Sequence, residues 1–246
     1  MSRPTSATPV ALVHGVGFGP STFAHVQREL RRAGPVVMVE RRGYGTRSAL
    51  APPERVEDHV DDVVAALDSA GIERAVVAGV SGGATIALAA ALTVPERVIA
   101  AISHEPAVGS LGPELMALIE TSVETGGMAL AQALAGPATW ARLTTEQLAD
   151  LETYAAIVAD DARAYLAWEP PLDRVAEAAP IVCTVGQHSS PMRHSIARVV
   201  HERIGAQVVV VEDCGHLAQL DAPSALTSII AAAGVSAFAV GATSTT

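Results

Sequence analysis

Lysine is absent from this sequence. Its 16 basic residues are therefore all arginines, and 26 acidic residues leave a formal net charge of −10. A nucleic-acid-binding protein needs a basic face toward the phosphates, and an anionic membrane surface attracts basic segments. The composition therefore predicts neither nucleic acid nor a membrane as a partner.

Long apolar segments and cysteines are also scarce. No apolar run reaches transmembrane length, and the N-terminal segment MSRPTSATP lacks the apolar core of a signal peptide. The two cysteines, Cys183 and Cys214, form no CxxC motif, there is no HExxH motif, and the glycines at 15–19 lack GxGxxG spacing. These absences predict a cytoplasmic protein with reduced thiols, no metal and no cofactor.

Short apolar runs alternate with longer stretches of helical periodicity. The runs are continuously apolar, which is typical of parallel strands that are covered on both faces. The predicted strands are Val10–Val13, Pro35–Val39, Ala75–Val80, Val98–Ile102, Ile181–Val185 and Gln207–Val211. The pattern predicts an α/β fold, a mostly parallel sheet with helices on both faces.

One segment interrupts this alternation. Residues 107–179 show only helical pattern and hold eleven acidic residues against three arginines, so they carry −8 of the net charge. We interpret this segment as a helical cap over a core formed by residues 10–106 and 180–233. The ends, 1–9 and 236–246, are expected to be flexible.

The segment VVAGVSGGATIALA contains the strongest chemical signal. Gly79 to Gly83 form a GxSxG motif directly after an apolar strand and directly before a helix. This is the context of a nucleophile elbow, in which a sharp turn exposes the serine hydroxyl at a helix N-terminus. Ser81 is therefore the predicted nucleophile.

A serine nucleophile requires a base, and eight histidines are available. His25, His59 and His201 lie within predicted helices and are expected on the surface, whereas His104 and His216 follow strands. His216 comes after the last strand and last in the chain, as the order serine, acid, histidine requires. We therefore predict His216 as the base.

Four motifs together resemble the α/β-hydrolase superfamily. They are the HG after the first strand (His14-Gly15), the RRGYG turn (Arg41 to Gly45), GxSxG, and the GH at Gly215-His216. The resemblance extends from Val10 to Ala233 and implies that the backbone N–H groups of Val16 and Gly82 form the oxyanion hole. It departs at the N-terminus, where there is almost no room for the two-strand hairpin with which that superfamily often begins.

The acid is a second departure. Ser189 stands where the superfamily usually carries an aspartate, after the strand that follows the cap. Glu105 instead follows Ser81 by 24 positions. This spacing resembles that of haloalkane dehalogenases with a glutamate acid and of zearalenone-type lactone hydrolases. The resemblance implies that Glu105 orients His216, whereas a salt-bridged glutamate, or Asp213 as the acid, is the alternative.

These residues predict a metal-free serine hydrolase that cleaves a carboxylic ester or lactone of a mainly hydrophobic substrate. Trp140, Trp168 and Tyr165 of the cap are candidate pocket residues, and the acidic cap disfavours anionic substrates. A homodimer is possible. A C–C bond hydrolase and a non-hydrolytic binding protein or cyclase of the same fold remain as alternatives.

Overall fold

A computed structural model of the chain describes residues 7–241, except 113, 116, 118–119 and 121–126, and side chains as far as residue 235. Within these residues the strands are β1 Val10–Val13, β2 Val36–Val39, β3 Ala75–Val80, β4 Val98–His104, β5 Ile181–Gly186 and β6 Gln207–Val211. The strand positions predicted from the apolar runs are therefore correct to within two residues at each end.

The six strands form one sheet in the order β2-β1-β3-β4-β5-β6, and every neighbouring pair is parallel. The strand order reverses between β1 and β3. In open α/β sheets, ligands bind at the carboxyl ends of the strands beside such a reversal. The predicted fold class is confirmed.

Helices pack against both faces of the sheet. The described helices of the core are α1 Ala24–Leu30, α2 Val56–Ser69, α3 Gly82–Thr93, α7 Pro191–Ile204, α8 Ala218–Asp221 and α9 Pro223–Gly241. Alternate strand residues point to opposite faces: Ala11 and Val13 pack in one apolar cluster with α2 and α3, whereas Val10 and Leu12 pack in another with α1 and α9.

Three described helices lie between β4 and β5, within the predicted cap: α4 Gly127–Trp140, α5 Thr145–Tyr154 and α6 Val158–Ala167. α4 is interrupted at Gly136, where φ is 70° and a proline follows. α5 begins with a capping box, because the Thr144 hydroxyl accepts from the Gln147 N–H and the Gln147 side chain accepts from the Thr144 N–H.

Of the two segments expected to be flexible, residues 1–6 and 242–246 lie outside the described residues, whereas the backbone of 236–241 continues helix α9. Among the helices that the structure describes, none is both long and apolar enough to cross a membrane.

Candidate active site

The predicted site residues lie together at the carboxyl edge of the sheet. Val16 follows β1, Ser81 follows β3, Glu105 follows β4 and His216 follows β6. Because the strands are parallel, their carboxyl ends meet on one side of the molecule, although Val16 and His216 are far apart in sequence.

Ser81 occupies a strained turn between β3 and α3. Its φ of 58° and ψ of −121° are unusual for a residue with a side chain, and its N–H donates to the His104 carbonyl at 2.9 Å. A Cβ on Gly79 would lie 2.1 Å from the Gly83 carbonyl oxygen, and one on Gly83 would lie 2.1 Å from the Val13 oxygen. The glycines of the motif are therefore required by the close passage of strand and helix.

Glu105 and His216 are in direct contact. The His216 Nδ1–H donates to Glu105 Oε2 at 2.7 Å, and both side chains are buried. Glu105 Oε1 accepts from the Gly186 N–H at 2.9 Å and from the Ser189 hydroxyl. Because Nδ1 carries the proton, Nε2 of His216 has its lone pair free, and it has no hydrogen-bond partner among the described residues.

The charges around this pair keep the acid ionised and the imidazole neutral. Burial alone would raise the pKa of Glu105, but the hydrogen bond from His216 and the electrostatic interactions with His216, His104 and Arg193 together outweigh burial and hold that pKa well below its usual range. Burial and the positive charge of Arg193 lower the pKa of His216 to about 4, against the raising effect of Glu105. At neutral pH His216 is therefore an uncharged base.

Ser189 stands at the sequence position where an aspartate was expected from the resemblance, and in space it lies beside the Glu105 carboxylate. Its hydroxyl donates to Glu105 Oε1. Glu105 itself has a φ of 51°, so the chain turns sharply as it leaves β4 and brings the carboxylate between β5 and His216. The loops after β4 and β5 therefore meet at the Glu105 carboxylate, and the charge beside His216 comes from the loop after β4.

The residues of the predicted oxyanion hole are adjacent. A Cβ on Gly82 would lie 2.8 Å from Val16 Cγ2, so the two positions are in close contact. In the part of the chain that the structure describes, the backbone N–H groups of Val16 and Gly82 make no hydrogen bond. Both are therefore available to an oxyanion.

His104 is hydrogen-bonded to other residues, and the Cys214 thiol is protonated. His104 Nδ1 contacts the Thr184 hydroxyl at 2.9 Å, and its Nε2 contacts the Gly215 carbonyl at 3.3 Å. Burial raises the pKa of Cys214 to about 12, so its thiol stays protonated. Neither residue competes with His216 or Ser81 for a role in nucleophilic chemistry.

A narrow cavity of about 20 Å³ adjoins the serine, which is room for about one water molecule. The cavity walls are mostly apolar and come from both core and cap; the lining residues are Val16, Ser81, Ala107, Leu130, Leu134, Ala162, Tyr165 and Arg193.

Of the three aromatic residues proposed for the substrate pocket, Tyr165 is among the described residues that line this cavity, and Trp140 and Trp168 are not. Trp168 is buried elsewhere and donates its indole N–H to Glu57 at 3.2 Å. Trp140 packs beside Phe18 in a separate apolar cluster. Among the described residues, the contacts of each tryptophan therefore lie outside this cavity, and a substrate contact at either one stays a prediction.

A fully buried polar cluster lies behind the cavity. Asp161 Oδ1 contacts Arg41 Nη1 at 2.8 Å and His59 Nε2 at 2.7 Å, and its Oδ2 accepts from the Tyr44 hydroxyl at 2.6 Å. Arg41 Nη1 also donates to the Tyr165 hydroxyl at 2.6 Å. The cluster joins the RRGYG turn, α2 and the cap helix α6.

The same cluster holds the loop after β1. Arg41 Nη2 donates to the Gly15 carbonyl at 2.9 Å, and the Gly17 N–H donates to the Tyr44 hydroxyl at 3.0 Å. Val16 lies between these two anchored glycines. The buried charges therefore position one donor of the predicted oxyanion hole relative to the cap.

The expectation that His59 is a surface residue is wrong. Its side chain is 0% exposed and contacts Asp161. A sequence signal was available, since His59 follows Val56 by three positions and precedes Val63 by four, which places it on the apolar face of α2. Asp161 lies in the cap and follows no motif, so sequence reasoning missed it.

Comparison with known proteins agrees with the fold. Residues 10–228 match the sequence model of the Alpha/beta hydrolase family. Over 100 residues, 39% of this chain and 36% of the relative, the sequence is 40% identical to the uncharacterized hydrolase YraK of Bacillus subtilis (strain 168). The match thus spans only about a third of that protein's length.

Two solved structures share the fold over most of both chains. An enol-lactonase from Burkholderia xenovorans LB400 superimposes with a TM-score of 0.73 at 21% identity, covering 94% of this chain and 93% of the other. A thermophilic esterase from Thermogutta terrifontis superimposes with a TM-score of 0.73 at 21% identity, covering 94% and 91%. At this identity the likeness establishes the fold.

Proposed function

The chain belongs to the alpha/beta hydrolase family, and within that family we propose that it is a serine hydrolase cleaving carboxylic esters or lactones. The observation that carries this proposal is the 2.7 Å contact between Glu105 and His216. It fixes the imidazole tautomer whose free Nε2 acts as a base, on the same sheet edge as the strained Ser81.

In the proposed mechanism His216 Nε2 takes the proton of Ser81 Oγ while that oxygen attacks the substrate carbonyl. The N–H groups of Val16 and Gly82 stabilise the oxyanion. His216 then protonates the leaving alcohol, and water, deprotonated by His216, hydrolyses the acyl-serine. Glu105 stays ionised throughout and stabilises the imidazolium.

No hydrogen bond joins Ser81 to His216 in this structure. Such bonds are often long or poorly aligned without substrate and tighten in the substrate complex. We therefore assign their pairing to the bound state.

Esters and lactones are favoured as substrates because an enol-lactonase and an esterase share the fold. The apolar walls of the cavity favour a mainly hydrophobic acyl or lactone chain.

The test compares Ser81→Ala, His216→Ala and the double variant with Ser224→Ala, which changes an exposed serine. The substrates are p-nitrophenyl esters of graded chain length, a panel of lactones and a dienoic diketone. Each single site variant should lose roughly a thousandfold or more in kcat, and the double variant little more.

A serine-reactive phosphonate should label Ser81 in the wild type and in Ser224→Ala only. Near-wild-type turnover in either single site variant would refute the triad. Turnover of the diketone alone would identify a C–C bond hydrolase, and labelling without turnover of any substrate would indicate a binding protein.

A further inference from the structure

Arg193 is a buried cation whose hydrogen-bonding capacity is mostly unused. It lies in the first turn of α7, is 5% exposed and lines the cavity beside Ser81. Its one hydrogen bond to the described residues runs from Nη1 to the Glu105 carbonyl oxygen at a long 3.4 Å. A guanidinium has five N–H donors, so most of them have no acceptor among the residues that the structure describes.

Glu105 does not use these donors. Its carboxylate already accepts from His216, Gly186 and Ser189. The closest approach of Arg193 to that carboxylate is 3.7 Å, from Nε to Oε2, which is beyond hydrogen-bond distance.

Arg41 shows the contrast within the same molecule. It is also buried, and it donates to Asp161, Tyr165 and Gly15 at 2.6 to 2.9 Å. A buried charge is normally paired and hydrogen-bonded in this way, and one that is not calls for an explanation. Among the described residues Arg193 pairs with Glu105 only at 3.7 Å and has no comparable set of acceptors, and it lines the cavity beside Ser81.

We propose that Arg193 binds a carboxylate carried by the substrate, at the opposite end of an apolar chain from the ester or lactone carbonyl that Ser81 attacks. The planar fork of arginine matches a carboxylate with two parallel hydrogen bonds. This inference rests on the proposed hydrolase function and narrows its substrates to acidic esters or lactones.

The acidic composition favoured a neutral substrate, whereas this proposal gives the substrate one negative charge. Charges on the cap surface act through water and are screened within about 10 Å, whereas Arg193 acts at contact distance inside an apolar cavity. Apolar walls with one cation suit a substrate with an apolar body and a single anionic group.

The test uses two substrates of equal length, mono-p-nitrophenyl glutarate, which carries a free carboxylate, and its neutral methyl ester. The measured quantity is the ratio of kcat/KM for the acid to kcat/KM for the neutral ester. Arg193→Met should lower this ratio roughly 10- to 100-fold, and Arg193→Lys, which keeps a charge without the fork, should lower it less.

Arg198→Met is the matched control, because Arg198 lies on the same helix but is exposed, and its side chain bonds only Ser195. This variant should leave the ratio unchanged. Equal losses on both esters in Arg193→Met would show that Arg193 acts only as a counter-ion for Glu105 and would overturn the proposal. A wild-type enzyme that prefers the neutral ester would overturn it as well.

A binding measurement distinguishes a failure of the carboxylate site from a failure of the proposed hydrolase function. Monomethyl glutarate should bind Ser81→Ala, measured by calorimetry, and should lose roughly 10- to 100-fold in affinity when Arg193→Met is added. If the wild type hydrolyses neither nitrophenyl ester, the hydrolase function fails while this binding difference still decides the carboxylate site. If hydrolysis depends on Ser81 but neither ratio nor affinity depends on Arg193, only the carboxylate site is refuted.

Discussion

Asp161 is the centre of the buried cluster, and Asp161→Asn should destabilise the protein strongly. The side chain is 0% exposed and accepts hydrogen bonds from Arg41, His59 and Tyr44. Burial alone would raise the pKa of Asp161, but the guanidinium of Arg41 and the interactions with His59 and Tyr44 together outweigh burial and hold that pKa well below its usual range. The carboxylate is therefore ionised at neutral pH, and the asparagine removes its charge.

The size of the destabilisation follows from the unpaired Arg41 that Asp161→Asn leaves in the interior. Without the carboxylate, the guanidinium of Arg41 is a buried charge with no counter-ion, and breaking a buried pair in this way costs about 3–5 kcal/mol of unfolding free energy. A chain of this size loses about 2–4 °C in melting midpoint per kcal/mol, so the midpoint should fall by roughly 6–20 °C.

Asp160→Asn is the matched control. Asp160 precedes Asp161 in α6, but its side chain is 43% exposed and pairs only with Arg163, which is 63% exposed. Removing such a surface pair should change the unfolding free energy by about 1 kcal/mol at most. Thermal and urea unfolding of both variants provide the comparison, and equal effects would refute the assignment of Asp161 as the anchor of the cap.

The pH dependence checks the same reasoning. Because the pKa of Asp161 is lower in the folded than in the unfolded chain, its stabilising contribution is complete above the unfolded value, about 4, and is lost as pH falls below it. The stability difference between wild type and Asp161→Asn should therefore be largest near pH 7 and shrink below about pH 4. A difference that does not depend on pH would indicate lost packing instead of lost charge.

Four further changes test the site. Glu105→Gln should keep the fold but lower kcat by roughly 10²-fold or more on a p-nitrophenyl ester, because the imidazolium loses its counter-charge. Ser189→Asp should lower kcat tenfold or more, since it places a second carboxylate against Glu105, and should restore part of the rate in the Glu105→Gln variant; no interaction between the two changes would contradict the observed contact. The pH profile of kcat/KM should be flat near neutrality and fall as pH drops through about 4, where His216 is protonated; an acid limb near 6.5 would contradict its lowered pKa. Gly79→Ala should leave little folded protein by circular dichroism, because its Cβ would lie 2.1 Å from the Gly83 oxygen; a normal melting curve would refute this.

Features with local causes could be read from the sequence. The strands Ala75–Val80 and Gln207–Val211 have the predicted bounds, because continuous apolar residues between turn signals leave few alternatives. The turn at Ser81 is equally local, since its backbone geometry depends on glycines two positions away on either side.

The role of Glu105 could not be predicted from its neighbours in sequence alone. Its position after Ser81 indicated a possible acid only through resemblance to other hydrolases, and a salt-bridged glutamate was an open alternative. The structure brings the carboxylate to His216, 111 positions further along the chain. The positive φ of Glu105 and the parallel packing of β4, β5 and β6 produce this contact, and no local pattern specifies it.

Only the tertiary structure decided how the buried charges are paired. Asp161 meets His59 across 102 positions and Arg41 across 120, and Arg193 lies in the cavity because α7 packs beside the loop after β4. A charged residue on a helix is solvated or buried according to which distant element covers it. That covering depends on how the cap docks on the core, which the periodicity of a single helix does not record.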